Sequence, residues 1–379
     1  MKVLRSRELA ELAVEDTKLE DFGGDDFSEA LDLIAEEVAA QPPTERGVMA
    51  FNGYAKGLLA NRLRIVADRK ADRAIAAQTV SRPLFVVGLP RTGTTFLQAL
   101  LAQDPNGRSL LQWEAARPSP PPRQDSYASD PRIALNIAES PHDPGFAQRH
   151  IHGAQLPVEC GAALGYAFCT GTTYFLWHTA SQLERLQGEI RPGYRWHRLV
   201  LEHLQSHTAQ SHWVLKSPEH FGHMVELVEA YPDARIVVTH RDPLKIIPSV
   251  SSLAAYMQRM NLPAFPDTRV GPEKLAYWTG LTEKFMAFRN GAGRNVKMLD
   301  LHYRELTAAP MTAVEKIYDA YDMPLTAEAE RAMTAWLKAY NQDSYQREHG
   351  AHDYTLEEYG LNADDIRHRF RPYIEAYLG

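Results

Sequence analysis

Residues 83–101 read PLFVVGLPRTGTTFLQALL, and their pattern indicates the fold class of the chain. The run PLFVVG at 83–88 is short, apolar and rich in β-branched residues, and it ends in glycine, which predicts a buried strand. The apolar stretch at 94–101 predicts a helix directly after it. A strand, a tight glycine-containing loop and a helix form the first unit of a parallel α/β sheet.

Three further runs resemble this strand: WVLK at 213–216, ARIVVTH at 234–240 and VKMLDL at 296–301. Each is bounded by turn or helix signals, and helices are predicted at 219–230 and 244–256. Short apolar strands that alternate with helices are typical of a parallel sheet covered on both faces. The predicted fold class is therefore α/β, a P-loop-type parallel sheet flanked by helices.

Helical patterns extend the chain on both sides of the strand region. Four apolar residues near the N-terminus fall at i, i+4, i+7 and i+11, on one helix face. They are Phe27, Leu31, Ile34 and Val38. From about residue 310 the chain reads as helical again. We expect one integrated domain with a helical extension at 1–82, a core at 83–310 and a helical segment at 311–379.

The composition excludes several classes of protein. Of the 379 residues 44% are hydrophobic and 23% charged, so a large core is expected and global disorder is excluded. Lys and Arg number 41 against 48 Asp and Glu, and residues 1–40 hold twelve of the acids but only four of the bases. The rest of the chain is near neutral, which argues against a broad basic face for nucleic acid.

The two cysteines, Cys160 and Cys169, cannot form a disulfide framework and predict reduced thiols in a cytoplasmic protein. The first residues, MKVLRSRELAELAVED, lack the apolar segment of a signal peptide. No stretch approaches about 20 apolar residues without charge, so no integral membrane segment is expected. The 15 histidines form no H-E-x-x-H pattern, and no metal site is predicted.

The loop after the first strand has the spacing of a phosphate-binding loop. Gly88 and Gly93 fit G-x-x-x-x-G, and backbone N–H groups together with the helix dipole favour an anion at such a loop. Thr94 stands where nucleoside triphosphatases have a lysine, and Arg91 lies inside the loop instead. The pattern predicts an anion site without the lysine that a kinase or ATPase requires.

The strand ARIVVTH runs directly into Arg241, where a Mg²⁺-dependent P-loop enzyme has a metal-binding carboxylate. Ser249 follows eight residues later, in the first turns of the next predicted helix. A guanidinium with a nearby hydroxyl suits a phosphate monoester. A surface ion pair of Arg241 with Asp242 or a neighbour is the alternative.

Together these motifs resemble those of the PAPS-dependent sulfotransferases, where PAPS is 3′-phosphoadenosine 5′-phosphosulfate. The family's 5′-phosphosulfate loop, P-K-S-G-T-T, is matched by Pro90, Arg91, Thr92, Gly93, Thr94 and Thr95. Arginine in place of lysine is similar to the tyrosylprotein sulfotransferases and a bacterial group. Arg241 and Ser249 resemble the family's 3′-phosphate motif. The resemblance covers residues 83–310 and implies metal-independent transfer from PAPS to a hydroxyl of a small-molecule, lipid or glycan acceptor, with the bisphosphate PAP as product.

Three more residues resemble positions of this family. Lys216, at the end of WVLK, is similar to a lysine that reaches the sulfuryl group in the tyrosylprotein branch. Tyr303 resembles a tyrosine beside the nucleotide, and Glu114 lies about where that branch has its catalytic glutamate. The resemblance thus implies that Arg91, Lys216 and Glu114 are catalytic. The alternatives are a strand-end lysine that reaches solvent, a half-buried strand tyrosine and a helix-surface carboxylate.

The chain also departs from the cytosolic sulfotransferases, because their R-K-G-x-x-G segment is absent and their catalytic histidine has no clear counterpart. His150, His152 and Glu159 are therefore alternative bases to Glu114. The C-terminal stretch GAHDY, at residues 350–354, resembles a His-x-Tyr segment of the bacterial group through His352 and Tyr354.

The acceptor is not specified by the sequence. Residues 165–178, GYAFCTGTTYFLWH, are strongly aromatic and form either a wall of the acceptor pocket or a helix core. Two rival functions stay open, a small-molecule P-loop kinase that needs ATP and Mg²⁺ and a non-catalytic nucleotide-binding relative. A homo-oligomer is compatible with the sequence.

Overall fold

The computed structural model describes residues 1–139, 152–180, 188–209, 211–342 and 355–379. Five of its strands pair in parallel in one sheet, in the order β2-β3-β1-β4-β5. They are β1 (Leu84–Gly88), β2 (Gly107–Arg108), β3 (His212–Lys216), β4 (Arg235–His240) and β5 (Met298–His302). The predicted α/β class with a parallel sheet is confirmed.

Helices precede, connect and follow the strands. Those before β1 are α1 (Ser6–Thr17), α2 (Ser28–Ala40), α3 (Glu45–Ala71) and α4 (Arg73–Ala76). Those between β1 and β3 are α5 (Thr94–Leu101), α6 (Gln112–Ala116), α7 (Pro131–Glu139), α8 (Gly161–Leu164), α9 (Thr172–Trp177) and α10 (Arg191–Gln205). The later ones are α11 (Met224–Ala230), α12 (Pro243–Arg259), α13 (Val270–Asn290), α14 (Tyr303–Ala308), α15 (Pro310–Ala320), α16 (Ala327–Gln342), α17 (Ala363–Arg369) and α18 (Arg371–Tyr377).

Side chains of the central strands alternate between two hydrophobic clusters, one on each face of the sheet. Phe85 and Val87 belong to the larger cluster, which also contains residues of the N-terminal helices and of α10, α12, α13 and α18. Leu84 and Val86 belong to the smaller cluster, with residues of α5, α15 and α16. Both faces of β1 are therefore buried, which explains its uninterrupted apolar sequence.

Most of the predicted elements are present, with two differences. The helix predicted at 219–230 is split into a 3₁₀ turn, Pro218–Gly222, and α11, and Gly222 packs so closely on α13 that a Cβ there would lie 2.3 Å from Leu281 Cδ2. The edge strand β2 has only two residues, too few to leave a pattern in the sequence. The predicted apolar face of α2 is buried as expected.

Two further predictions concern the cysteines and membrane-spanning helices. Cys160 and Cys169 are buried and are not paired in a disulfide. Among the described helices, none combines the length and the apolar character that crossing a membrane requires.

Candidate functional site

The carboxyl ends of the parallel strands meet at one edge of the sheet, and the predicted site residues follow them. The loop at 88–95 continues β1, Lys216 ends β3, Arg241 follows β4 and Tyr303 follows β5. Because β1 is central, with β3 on one side and β4 on the other, the loop lies at the point where the strand order reverses. Open α/β sheets bind ligands at such a point.

The loop backbone depends on two glycines. A Cβ at Gly88 would lie 2.5 Å from Thr239 Oγ1 and 2.7 Å from the Thr239 carbonyl oxygen, so only glycine fits beside β4. Gly93 has φ 89°, in the left-handed region that glycine adopts without strain. Arg91 has φ 66° and, as a non-glycine residue, holds backbone strain of about 1–3 kcal/mol in the middle of the loop.

The loop ends at the N-terminus of α5. Gly93 is the N-cap and offers no side-chain acceptor, so the first N–H groups of α5 lack a helical partner and favour an anion. The Thr92 hydroxyl contacts the Leu89 carbonyl oxygen at 2.7 Å and Thr239 Oγ1 at 2.6 Å. Thr92 therefore ties the loop to β4, and its backbone N–H is the group left for a ligand.

Lys216 is buried at the end of β3, with 1% of the residue exposed. Its Nζ lies 2.7 Å from Glu159 Oε1 and donates to Thr95 Oγ1 at 3.2 Å. The Glu159 side chain is 38% exposed, so the ion pair reaches the surface through the carboxylate. The alternative of a lysine that extends to solvent is therefore wrong. Sequence reasoning did not pair Lys216 with Glu159, because 57 residues separate them.

Arg241 and Ser249 both contact the loop at residues 88–95. Arg241 donates to the Arg91 carbonyl oxygen at 2.6 Å, and Arg91 Nε donates to Ser249 Oγ at 3.0 Å. The Arg241 guanidinium lies over the Tyr303 ring, 3.9 Å from its centroid. Asp242 instead caps α12, accepting from Leu244 N at 2.9 Å. Among the described residues, the structure thus places Arg241 against the loop and Tyr303 rather than in an ion pair with Asp242.

A polar network that the sequence did not reveal supports the strand end before Arg241. His240 is buried, and its ring nitrogens lie 2.9 Å from Tyr373 Oη and 2.9 Å from Asp300 Oδ1. Arg289 donates to the other Asp300 oxygen at 2.7 Å. Burial lowers the pKa of His240. Burial alone would raise the pKa of Asp300, but hydrogen bonds from His240 and Arg289 outweigh it and lower that pKa.

Glu114 is fully buried on α6, so the alternative of a helix-surface carboxylate is wrong. Its oxygens accept hydrogen bonds from Arg108, from Tyr127 Oη at 3.0 Å and from Leu111 N at 3.1 Å. The Arg108 side chain is itself 4% exposed, so the two charges neutralise each other inside the protein. The catalytic role of Glu114 stays a prediction.

The remaining candidates lie in different places. His152 is exposed, whereas His150, His352 and Tyr354 lie outside the described residues. In the aromatic stretch, four side chains with at most 3% exposed surface belong to the larger hydrophobic cluster. They are Tyr166, Phe168, Tyr174 and Trp177. All four side chains therefore lie in the core, but only Tyr174 and Trp177 lie on an α-helix, α9.

Comparisons with known proteins identify the family of the chain. The model of the sulfotransferase family matches residues 83–327. The solved structure of the sulfotransferase STF9 from Mycobacterium avium has a TM-score of 0.89 and 28% identity, over 98% of this chain and 96% of that one. The sulfotransferase STF1 from Mycobacterium tuberculosis H37Rv has a TM-score of 0.84 and 29% identity, over 98% and 99%. The search of curated proteins found no match. With the family model covering well over half of its length, this chain belongs to the sulfotransferase family.

Proposed function

We propose that this chain transfers the sulfuryl group of PAPS to a hydroxyl of a small-molecule, lipid or glycan acceptor. The observation that carries the proposal is the convergence of Arg91, Lys216 and Arg241 at the strand-end edge of the sheet, in a member of the sulfotransferase family. Three cationic side chains and a helix N-terminus suit a ligand with two separate phosphate groups.

In this proposal each end of the nucleotide has its own set of residues. Arg241 and Ser249 hold the 3′-phosphate, and Tyr303 lies beside the nucleotide because Arg241 already stacks on its ring. The 5′-phosphosulfate lies over the start of α5, where Pro90 shapes the loop and the residues that donate are Arg91, Thr92, Gly93, Thr94 and Thr95. The cationic side chains neutralise the phosphates, so no divalent ion is part of the proposed donor site.

Sulfuryl transfer in line breaks the bond between sulfur and the bridging oxygen, on which negative charge develops. Positive charge fixed beside that oxygen is stabilising chiefly in the transition state, which is what accelerates a reaction. We assign this role to Arg91 and Lys216. Because Lys216 is held by Glu159 and Thr95, its ammonium group is positioned before substrate arrives.

A base must accept the proton of the acceptor hydroxyl, which typically contributes about 10²–10⁴-fold. The family resemblance assigns this role to Glu114, but the geometry favours Glu159. Glu114 is fully buried and accepts three hydrogen bonds, whereas the Glu159 side chain is 38% exposed and lies next to Lys216. We therefore propose Glu159 as the base and Glu114 as the residue to test against it.

Two matched variants separate these roles. Glu159→Gln should lower kcat and abolish the acidic limb of the pH–rate profile, and it should also lower stability because the Lys216 ammonium group stays buried without its counter-ion. Glu114→Gln should keep kcat but destabilise the protein by about 3 kcal/mol, because Arg108 stays buried without its counter-ion. A normal rate in Glu159→Gln, with loss of rate in folded Glu114→Gln, would return the role to Glu114.

The class of reaction is tested by nucleotide binding and by transfer. Calorimetry should show that PAP binds without Mg²⁺ and that ATP binds more weakly even with Mg²⁺. In the presence of EDTA, ³⁵S-labelled PAPS should label at least one acceptor in a panel of alcohols, sterols and glycans. Tight binding of ATP only with Mg²⁺ would support the kinase. PAP binding without labelling of any acceptor would support a non-catalytic relative. Two thiols that form no disulfide support a cytoplasmic location, and the net charge of −7 argues against nucleic acid as the partner.

A further inference from the structure

A buried cluster of three side chains has no part in the proposed reaction. Cys160 precedes α8, His197 lies on α10 and His220 lies in the 3₁₀ turn after β3. One donor atom from each residue lies within 4.8 Å of the other two, and none of the three side chains reaches solvent. Elements distant in the sequence thus direct a sulfur and two imidazoles to one point inside the protein.

Both histidines are held in the same way. Nδ1 of His197 lies 2.6 Å from Tyr231 Oη, and Nδ1 of His220 lies 2.7 Å from Tyr194 Oη. Within the described part of the chain, Nε2 of each histidine is buried and has no hydrogen-bond partner. Buried polar atoms normally have partners, so two such nitrogens in one cluster need an explanation.

A metal ion provides that explanation. Histidine ligands typically bind through one ring nitrogen while the other is held by a hydrogen bond that fixes the ring, which is the arrangement of His197 and His220 here.

We propose that Cys160, His197 and His220 bind one thiophilic d¹⁰ ion, Zn²⁺ or Cu⁺. Thiolate and imidazole ligands together suit these ions and not Mg²⁺ or Ca²⁺. Bonds of about 2.3 Å to sulfur and about 2.0–2.1 Å to nitrogen hold the donors of one ion about 3.5 Å apart, so binding draws them closer by at most about 1.3 Å. Cys160 loses its proton to solvent as the metal–sulfur bond forms.

The ion has a structural role, because it links three elements next to the proposed active site. Cys160 follows Glu159 directly, and its N–H donates to the Lys216 carbonyl oxygen at 2.8 Å. His220 lies four residues after Lys216. A bound ion therefore fixes the chain on both sides of the Lys216–Glu159 pair without contacting that pair.

The test is metal content, which does not depend on any sulfotransferase activity. The full chain is refolded under reducing conditions with Zn²⁺, Cu⁺ or Co²⁺ in turn, desalted and analysed by mass spectrometry of the metal. We expect one equivalent of Zn²⁺ or Cu⁺ per chain, and for Co²⁺ an absorption band from thiolate-to-metal charge transfer. Cys160→Ser and His220→Gln should lose the metal and the band, whereas the matched control Cys169→Ser, at the other buried thiol, should keep both.

Wild-type protein that binds none of the three ions would overturn the proposal and leave a neutral core cluster. Binding that persists in folded Cys160→Ser would also overturn it, since the ion would then lie elsewhere. If both cluster variants fail to fold, the Co²⁺ spectra of the wild type and of Cys169→Ser test the proposal. The charge-transfer band requires a thiolate ligand. A band that persists in Cys169→Ser assigns that ligand to Cys160, and a band that is lost there assigns it to Cys169 and overturns the proposal.

Discussion

Replacing Lys216 by methionine removes the charge at the end of β3 and keeps an unbranched side chain of similar length. The site is buried, with 1% of Lys216 exposed, so methionine fills it without a cavity. Glu159, with 38% of its side chain exposed, stays hydrated after the loss of the Lys216 ammonium group. The free energy of unfolding should therefore fall by only about 1 kcal/mol, and the variant can be assayed as a folded protein.

The catalytic effect should be much larger. Two unit charges about 4 Å apart interact by about 4 kcal/mol at an effective dielectric constant of about 20. If roughly half a charge develops on the bridging oxygen, the transition state loses about 2 kcal/mol of stabilisation. At about 1.4 kcal/mol for each factor of ten, kcat should fall about thirtyfold, and removal of a single donor from such sites has cost up to about 10³-fold.

The assay is initial-rate transfer from labelled PAPS at saturating donor, with PAP affinity measured in parallel by calorimetry. We expect kcat to fall and PAP affinity to fall with it, because the 5′-phosphate of PAP carries in full the charge that develops on the bridging oxygen as the bond breaks. Lys316→Met, at an exposed lysine of α15, is the matched control and should behave as wild type. A Lys216→Met protein with unchanged kcat would refute the reasoning.

Three other outcomes are expected. Arg241→Ala should weaken PAP binding about tenfold to a hundredfold in calorimetry with kcat little changed, because a hydrogen bond to a charged group contributes about 1.5–3 kcal/mol. Gly88→Ala should lower the free energy of urea unfolding by about 2 kcal/mol, because its Cβ would lie 2.5 Å from Thr239 Oγ1. Burial raises the pKa of Glu219 from 4.5 to about 7. The folded protein thus binds more protons than the unfolded chain between these values, and stability falls as pH rises through that window. Glu219→Gln should flatten this dependence in urea unfolding measured across the same window.

The parts of the fold that could be predicted are those set by local sequence. The strand at Leu84–Gly88, the helix at Thr94–Leu101 and the position of Arg241 at a strand end follow from short patterns of apolar residues and glycine. Because parallel strands end at one edge, these local predictions also indicated which residues would meet.

Contacts between distant segments could not be predicted. Lys216 meets Glu159 across 57 residues, and His240 meets Tyr373 across 133, so no pattern within a short window contains either pair. Glu114 shows a second limit of prediction from sequence, because a carboxylate in a short helix is expected to be exposed. Its burial depends on Arg108 and Tyr127, whose contribution appears only once the chain is folded.

The hydrogen bond from Arg91 to Ser249 joins the loop at residues 88–95 to α12. On the proposed assignment, PAPS has anionic groups at both ends. When the hydrogen bond between Arg91 and Ser249 opens, the 5′-phosphosulfate contacts Arg91 and the 3′-phosphate contacts Ser249. ATP, which has phosphates at one end only, would separate the two residues and leave the hydroxyl without compensation. The hydrogen bond between Arg91 and Ser249 would then discriminate against nucleotides that carry phosphates at one end only.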